Sequence, residues 1–174
     1  MPVQLAILDD HQIVIDGLKL LLAGHPDFVI SKEFNRGFDL LETLKTEPVD
    51  IVLTDIMMPE MDGYVVALRI KKEFPDTKVV ALSMNGDGML IDQMIEQAGV
   101  SGYLLKTAGK DELIKALLSV SKGDTYFSQE ILTELHTYRK IKKEKEDIHL
   151  TAREIDIIHC IVRISFEKPA CIQL

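Results

Sequence analysis

Five residues with chemically active side chains lie at the ends of four short apolar runs. Asp9 and Asp10 follow the first run, and Asp55, Ser83 and Lys106 each follow one of the others. Short apolar runs between helical patterns are typical of parallel strands that are buried on both faces. Because functional groups gather outside the carboxyl ends of such strands, we expect these side chains to converge at one edge of a sheet. Three carboxylates, a hydroxyl and an ammonium group are suited to bind magnesium and a phosphoryl group.

The spacing of apolar residues predicts the elements that position these side chains. A further apolar run at residues 28–34 predicts the second strand, and helical periods fill the gaps, so five strand–helix units end by about residue 122. We therefore predict an α/β fold: a five-stranded, doubly wound parallel sheet of the flavodoxin-like class, order 2-1-3-4-5, with a short C-terminal helical extension. The apolar positions of the helices are Val14, Leu18, Leu21 and Leu22; Leu40, Leu41 and Leu44; Val66, Ile70 and Phe74; Ile91, Met94, Ile95 and Ala98; and Leu113, Ala116, Leu117 and Val120.

The predicted strand order brings Asp9 and Asp10 against Asp55, since the first and third strands lie side by side. Mg²⁺ prefers oxygen ligands, and a carboxylate can also act as a nucleophile that becomes an aspartyl phosphate. Lys106 could neutralise phosphoryl charge, and Ser83 could donate a hydrogen bond to a phosphoryl oxygen. Taken singly, these residues also fit ordinary roles as helix caps, a turn residue or a solvated lysine. Their joint placement at four strand ends favours the site.

Three motifs resemble those of a known family. The acidic pair followed by His11, the segment 55–63 (DIMMPEMDG) and the segment 102–106 (GYLLK) resemble the acidic pair, the phosphoacceptor loop and the last strand of response-regulator receiver domains. Over residues 3 to about 122 the chain thus resembles a two-component response regulator of the LuxR/NarL/FixJ type. The resemblance implies that Asp55 is the phosphoacceptor and that Asp9, Asp10 and Asp55 hold Mg²⁺ together with the backbone carbonyl of Met57.

The same resemblance implies a switch and a set of partners. Ser83 and Lys106 stand where the family has its hydroxyl and lysine residues, and Tyr103 stands at the position of the switch aromatic. Phosphorylation of Asp55 by a sensor histidine kinase would draw Ser83 inward and let Tyr103 turn in. We also expect a homodimer that pairs through the first, fourth or fifth helix, with a contribution from the apolar stripe of the tail (Ile155, Ile158 and Val162). Such a protein is not an enzyme, beyond catalysing its own phosphorylation and dephosphorylation.

The C-terminal part predicts a second module. We assign residues 1–124 to the receiver, 125–149 to a helical linker and 150–174 to the truncated start of a LuxR-type helix-turn-helix domain, where Thr151 and Glu154 form a capping box. The linker pattern predicts an amphipathic helix over residues 128–143 with Ile131, Leu135, Tyr138 and Ile141 on one side. Only the first helix of the DNA-binding module is recognisable, so we expect DNA binding in the full-length parent and not in this chain.

Composition and charge exclude other classes. Residues 1–127 contain 20 acidic and 12 basic side chains, and residues 128–174 contain 8 of each, so no basic face for nucleic acid is evident. The sequence shows neither a membrane span nor a signal peptide, which favours a cytoplasmic protein. The spacing of His159, Cys160 and Cys171 matches no standard zinc site. Two alternatives stay open: a stand-alone receiver that acts by protein contact, and a phosphatase-like hydrolase, against which Met57 argues because such enzymes have a second aspartate there.

Overall fold

The fold is a parallel sheet covered by helices on both faces. The computed structural model describes residues 1–84 and 86–146. The sheet has the order β2-β1-β3-β4-β5-β6, so the predicted order and fold class are confirmed and a sixth strand is added at the edge. The strands are β1 (Val3–Leu8), β2 (Phe28–Phe34), β3 (Ile51–Asp55), β4 (Lys78–Ser83), β5 (Gly102–Leu105) and β6 (Tyr126–Phe127). The helices are α1 (Gln12–Leu22), α2 (Gly37–Leu44), α3 (Gly63–Glu73), α4 (Gly88–Glu96), α5 (Lys110–Ser121) and α6 (Gln129–Glu146).

The sheet separates two apolar layers. One layer joins the sheet to α1 and α5, and the other joins it to α2, α3, α4 and the beginning of α6. In β3, Ile51 and Leu53 face the first layer and Val52 faces the second. Because both faces are covered, the central strands are continuous apolar runs rather than alternating patterns, which is why they could be recognised in the sequence. None of the helices in the described ranges is long and apolar enough to cross a membrane.

Side-chain caps fix where α3 and α4 begin relative to the edge of the sheet. Asp62 Oδ1 accepts a hydrogen bond of 2.8 Å from the Val65 amide. Asp87 Oδ1 accepts hydrogen bonds of 2.9 and 3.3 Å from the amides of Met89 and Leu90. Such caps satisfy amides that have no partner within the helix. Both helices therefore start at defined positions after the loops that follow β3 and β4.

The segment after α5 stays attached to the sheet through β6. Gly102 pairs with Tyr126 and Tyr103 with Phe127, and the Ser128 amide donates a 3.3 Å hydrogen bond to the Tyr103 carbonyl. Two residues are too short a run to predict a strand from sequence. The first compact unit of the chain comprises residues 1–138, and a second comprises residues 139–174. The capping box predicted at Thr151 and Glu154 and the apolar stripe predicted for the tail lie outside the described residues.

Candidate functional site

The carboxyl ends of four parallel strands lie at the same edge of the sheet. Asp9 follows β1, Asp55 is the last residue of β3, Ser83 is the last residue of β4, and Lys106 follows β5. The register pairs Asp55 with Leu82, so Ser83 lies one residue beyond the phosphoacceptor candidate on the adjacent strand. The Lys106 amide donates a 2.7 Å hydrogen bond to the Ser83 carbonyl, which joins the last two of these positions directly.

Lys106 lies between two buried carboxylates. Its Nζ atom is 2.6 Å from Asp9 Oδ2 and 3.0 Å from Asp55 Oδ2, and the lysine side chain is only 11% exposed. Burial lowers the pKa of Lys106, but the hydrogen bonds to Asp9 and Asp55 outweigh it and raise that pKa above its ordinary value. The ammonium group therefore stays charged at neutral pH, and it is placed where it can neutralise negative charge on Asp55 or on a group attached to it.

Backbone amides hold the two buried carboxylates in place, and one side chain bonds to the backbone of Asp9. Asp9 Oδ1 accepts a 2.9 Å hydrogen bond from the His11 amide, and Asp55 Oδ1 accepts one of 2.8 Å from the Ile56 amide. Asn35 Nδ2 donates a 2.9 Å hydrogen bond to the Asp9 carbonyl. Asn35 is not among the residues predicted from the sequence, although an amide side chain directly after the second strand is a signal for a positioning role at this edge.

The acidic cluster fits a divalent cation. One ligand atom from each of Asp9, Asp10, His11 and Asp55 lies within 4.8 Å of the others. Asp10 Oδ1 is buried and has no hydrogen-bond partner among the described residues, although His11 Nδ1 lies 3.0 Å away. An unsatisfied buried carboxylate oxygen is unfavourable unless it is paired or coordinates a metal, and hard oxygen donors are what Mg²⁺ prefers. The donor set is therefore consistent with magnesium. The part predicted for the carbonyl of Met57 stays a prediction.

Tyr103 is already inside the protein. Its side chain is 0% exposed and belongs to the apolar layer of α4. Burial raises the pKa of Tyr103, and the neighbouring Ser83 hydroxyl lowers it in part. The phenol oxygen makes no well-formed hydrogen bond within the described residues. Tyr103 is thus buried in this structure, and its inward rotation on phosphorylation of Asp55 stays a prediction.

The loop between β3 and α3 is held close to the phosphoacceptor candidate. A Cβ atom on Gly63 would lie 2.1 Å from the Asp55 carbonyl oxygen and 2.8 Å from the Ile56 Cα. The Gly63 amide also donates a 2.8 Å hydrogen bond to the Ile56 carbonyl. Within the same loop Glu60 adopts a φ of 67°, a conformation that side chains rarely take. Only glycine at position 63 permits this approach, so the start of α3 determines where Asp55 lies.

Comparison with known proteins identifies the family. The family model described as "Response regulator receiver domain" matches residues 5–118. The transcriptional regulatory protein DegU of Brevibacillus brevis is 32% identical over 145 residues, 83% of this chain and 61% of that protein. This chain thus spans about three fifths of that relative's length.

Two solved structures support the same assignment. The receiver domain of RcsB from Salmonella enterica serovar Typhimurium, solved with the phosphomimetic BeF₃⁻, is 25% identical, with a TM-score of 0.72 over 78% of this chain and 99% of that one. The receiver domain of the response regulator NarL from Mycobacterium tuberculosis is 30% identical, with a TM-score of 0.66 over 70% of this chain and 98% of that one. The resemblance drawn from the sequence is confirmed: the chain belongs to the response-regulator receiver family of two-component signalling.

Proposed function

We propose that the chain accepts a phosphoryl group on Asp55 from a sensor histidine kinase and responds by a shift between two conformations. The observation that supports this most directly is the position of Lys106, whose ammonium group touches Asp9 and Asp55 at the end of the sheet. A charged lysine beside a buried carboxylate, next to two further carboxylates, is an arrangement suited to phosphoryl transfer, which depends on positioning and on charge neutralisation.

The transfer step uses Asp55 as the nucleophile. A carboxylate oxygen of Asp55 forms a bond to phosphorus as the phosphorus–nitrogen bond of the kinase phosphohistidine breaks, and the electron pair stays on the imidazole nitrogen, which takes up a proton. Lys106 offsets charge on the phosphoryl oxygens, and Ser83 donates a hydrogen bond to one of them. Asp9, Asp10, Asp55 and the Met57 carbonyl would hold Mg²⁺, which supplies further charge neutralisation when it is bound.

The phosphoryl group acts as a ligand that biases an equilibrium. It adds negative charge and three acceptor oxygens next to Lys106 and Ser83. A ligand shifts an equilibrium only by its different affinity for the two states, so the state in which both residues reach the phosphoryl group is favoured. The chain is therefore a signalling receiver, and the only chemistry it performs is on its own aspartate.

The test uses a small phosphodonor with Mg²⁺ and intact-mass spectrometry. The wild type should gain one phosphoryl group, and Asp55→Asn should gain none. Asp50→Asn is the matched control, because Asp50 precedes the same strand at its opposite end and its carboxylate only accepts a 2.7 Å hydrogen bond from the Gln4 amide. Equal labelling of wild type and Asp55→Asn would contradict the assignment of the phosphoacceptor.

We further propose that this receiver controls transcription when it is joined to a complete DNA-binding module. The relative named above as a transcriptional regulatory protein supports this reading, and it makes a receiver that acts only by protein contact the less favoured alternative. We do not expect the 174-residue chain itself to bind DNA specifically, since residues 1–127 have a net charge of −8. A sequence-dependent mobility shift of promoter DNA at physiological salt would contradict this expectation.

We also propose that the chain forms a homodimer and that α1 contributes to it. Ile13 and Leu20 project from the outer face of α1 with 81% and 77% exposure, and a Cβ on Gly17 between them would meet no atom within 4 Å. At the end of the sheet where β5 lies, β6 already pairs with β5. Light scattering with and without beryllofluoride should detect a dimer that Leu20→Glu weakens, and a monomer under all conditions would contradict the proposal.

A further inference from the structure

We propose that the first half of α6, residues 129–138, is a regulatory element that docks on the loop after β4 and is released when Asp55 is phosphorylated. We call residues 129–138 the docked segment. The proposal rests on the phosphoacceptor function proposed above and adds the element through which phosphorylation is transmitted. The whole docked segment lies within the first compact unit of the chain.

The docked segment is part of the apolar core rather than an exposed connection. Ile131 is 0% exposed and Leu135 is 8% exposed. Both belong to the same buried cluster as Ile91 and Met94 of α4 and Tyr103 of β5. The docked segment therefore shares its apolar cluster with the fourth helix and with the residue predicted to act as the switch.

Two glycines, one in the β4–α4 loop and one at the first position of α4, allow the docked segment to touch the backbone there. A Cβ on Gly88 would lie 2.4 Å from Tyr138 Cβ and 3.1 Å from the Glu134 carbonyl oxygen. A Cβ on Gly86 would lie 3.1 Å from Glu134 Cγ. The atoms nearest to position 88 are the Cβ of Tyr138 and the backbone carbonyl of Glu134. Neither can rotate away, as the end of a flexible side chain could. The fit therefore depends on where the loop backbone lies, and interiors packed this closely transmit displacements rather than absorb them.

The same loop is directly continuous with the phosphoryl-binding residue. Gly86 and Gly88 follow Ser83 by three and five positions. A hydrogen bond from Ser83 to a phosphoryl oxygen on Asp55 would move the end of β4 and the loop with it. Tyr103, the residue predicted to act as the switch, is buried in the same apolar cluster as Ile131 and Leu135. The displacement is passed to the docked segment, whose contacts with Gly86 and Gly88 no longer fit.

The decisive experiment locks the docked segment in place. In the 174-residue chain with Cys160→Ser and Cys171→Ser, the pair Gly86→Cys and Glu134→Cys should form a disulfide, because a Cβ at position 86 lies 3.7 Å from Glu134 Cβ and the two Cβ atoms of a disulfide are about 3.8 Å apart. Coupling between two sites is reciprocal, so the oxidised form should bind beryllofluoride with Mg²⁺ about tenfold more weakly than the reduced form of the same variant.

The outcomes separate this inference from the proposed function. Equal affinity of the oxidised and reduced forms would overturn the coupling while leaving the phosphoacceptor assignment intact. Failure of the disulfide to form would overturn the docked geometry. Absence of beryllofluoride binding in the wild type would overturn the proposed function and, with it, the inference.

A second measurement does not depend on cross-linking. Hydrogen exchange of amides in residues 129–138 should become faster when the wild type binds beryllofluoride and Mg²⁺. Gly88→Ala should give faster exchange without the mimic and should bind the mimic more tightly, because the added methyl group excludes the docked arrangement. Gly17→Ala is the matched control, since its Cβ meets no atom within 4 Å. Exchange that is unchanged by the mimic and by Gly88→Ala would contradict the proposal.

Discussion

Replacement of Gly63 by alanine tests how the start of α3 positions Asp55. The new Cβ would lie 2.1 Å from the Asp55 carbonyl oxygen, whereas ordinary contacts begin at 3.4 Å, so the two backbone segments must separate by about 1.3 Å. Insertion of a methyl group into a well-packed region costs about 1–3 kcal/mol. We expect a loss near 3 kcal/mol in the free energy of unfolding, because both clashing partners, Asp55 and Ile56, are backbone and cannot rotate away.

Urea unfolding and beryllofluoride titration measure the two consequences of Gly63→Ala. With a slope of about 2 kcal/mol per molar urea, the midpoint should fall by roughly 1.5 M. A displacement of about 1 Å at a reacting group costs up to 10²-fold in rate, and we expect binding of beryllofluoride to Asp55 to weaken at least tenfold, by about 1.4 kcal/mol. Gly109→Ala, whose Cβ meets no atom within 4 Å, should leave the affinity for beryllofluoride unchanged. A Gly63→Ala protein with wild-type stability and affinity would refute the reasoning.

Three further predictions concern Tyr103, Met57 and Glu60. Burial raises the pKa of Tyr103, so the stability that its neutral phenol contributes is complete below the unfolded pKa of about 10 and is lost as the pH rises through the folded pKa. Tyr103→Phe should therefore lose less stability than the wild type above about pH 10. Equal losses for the two proteins in chemical denaturation would count against this. Met57, 71% exposed, offers the attacking water no hydrogen bond, so the wild type should dephosphorylate more slowly than Met57→Asn; equal rates of phosphate release would exclude the idea. Glu60 has a φ of 67°, so Glu60→Val should be about 1–2 kcal/mol less stable than Glu60→Gly. Both variants lose the ion pair with Arg36, so the difference between them measures the backbone alone. Equal urea midpoints would show that the backbone is unstrained.

Much of the fold could be predicted because the central strands are apolar on both faces. The run at 28–34 coincides with β2, and the predicted positions Leu113, Ala116 and Leu117 are all buried. The prediction for α1 omitted Ile15, which is fully buried, because Val14 next to it fits the same helical period. Strand β6 was missed since its two residues form no pattern, and it is held by hydrogen bonds to β5 that depend on the tertiary structure.

The candidate site was predictable where residue type and strand position coincide. Asp9, Asp55 and Lys106 do converge, because parallel strands end at one edge. The sequence could not show which carboxylate oxygens Lys106 bridges or that Asn35 binds the Asp9 carbonyl, since these depend on side-chain rotamers and on the turn after β2. Nor could it show that Tyr103 is already buried, because the cluster that encloses it includes Ile131 from a helix later in the chain.

The contacts between α6 and the β4–α4 loop bear on how this protein can recombine with others. A segment that connects two modules is commonly regarded as a neutral spacer, which can be exchanged freely. Here residues up to Tyr138 pack on the receiver, and Gly86 and Gly88 accept only a helix that presents a compatible surface. A hybrid regulator joined before Gln129 would place a foreign sequence against these glycines and remove Ile131 and Leu135 from the apolar cluster that contains Ile91 and Met94. We therefore expect the receiver and the docked segment to be inherited together. A functional hybrid should be joined after residue 138.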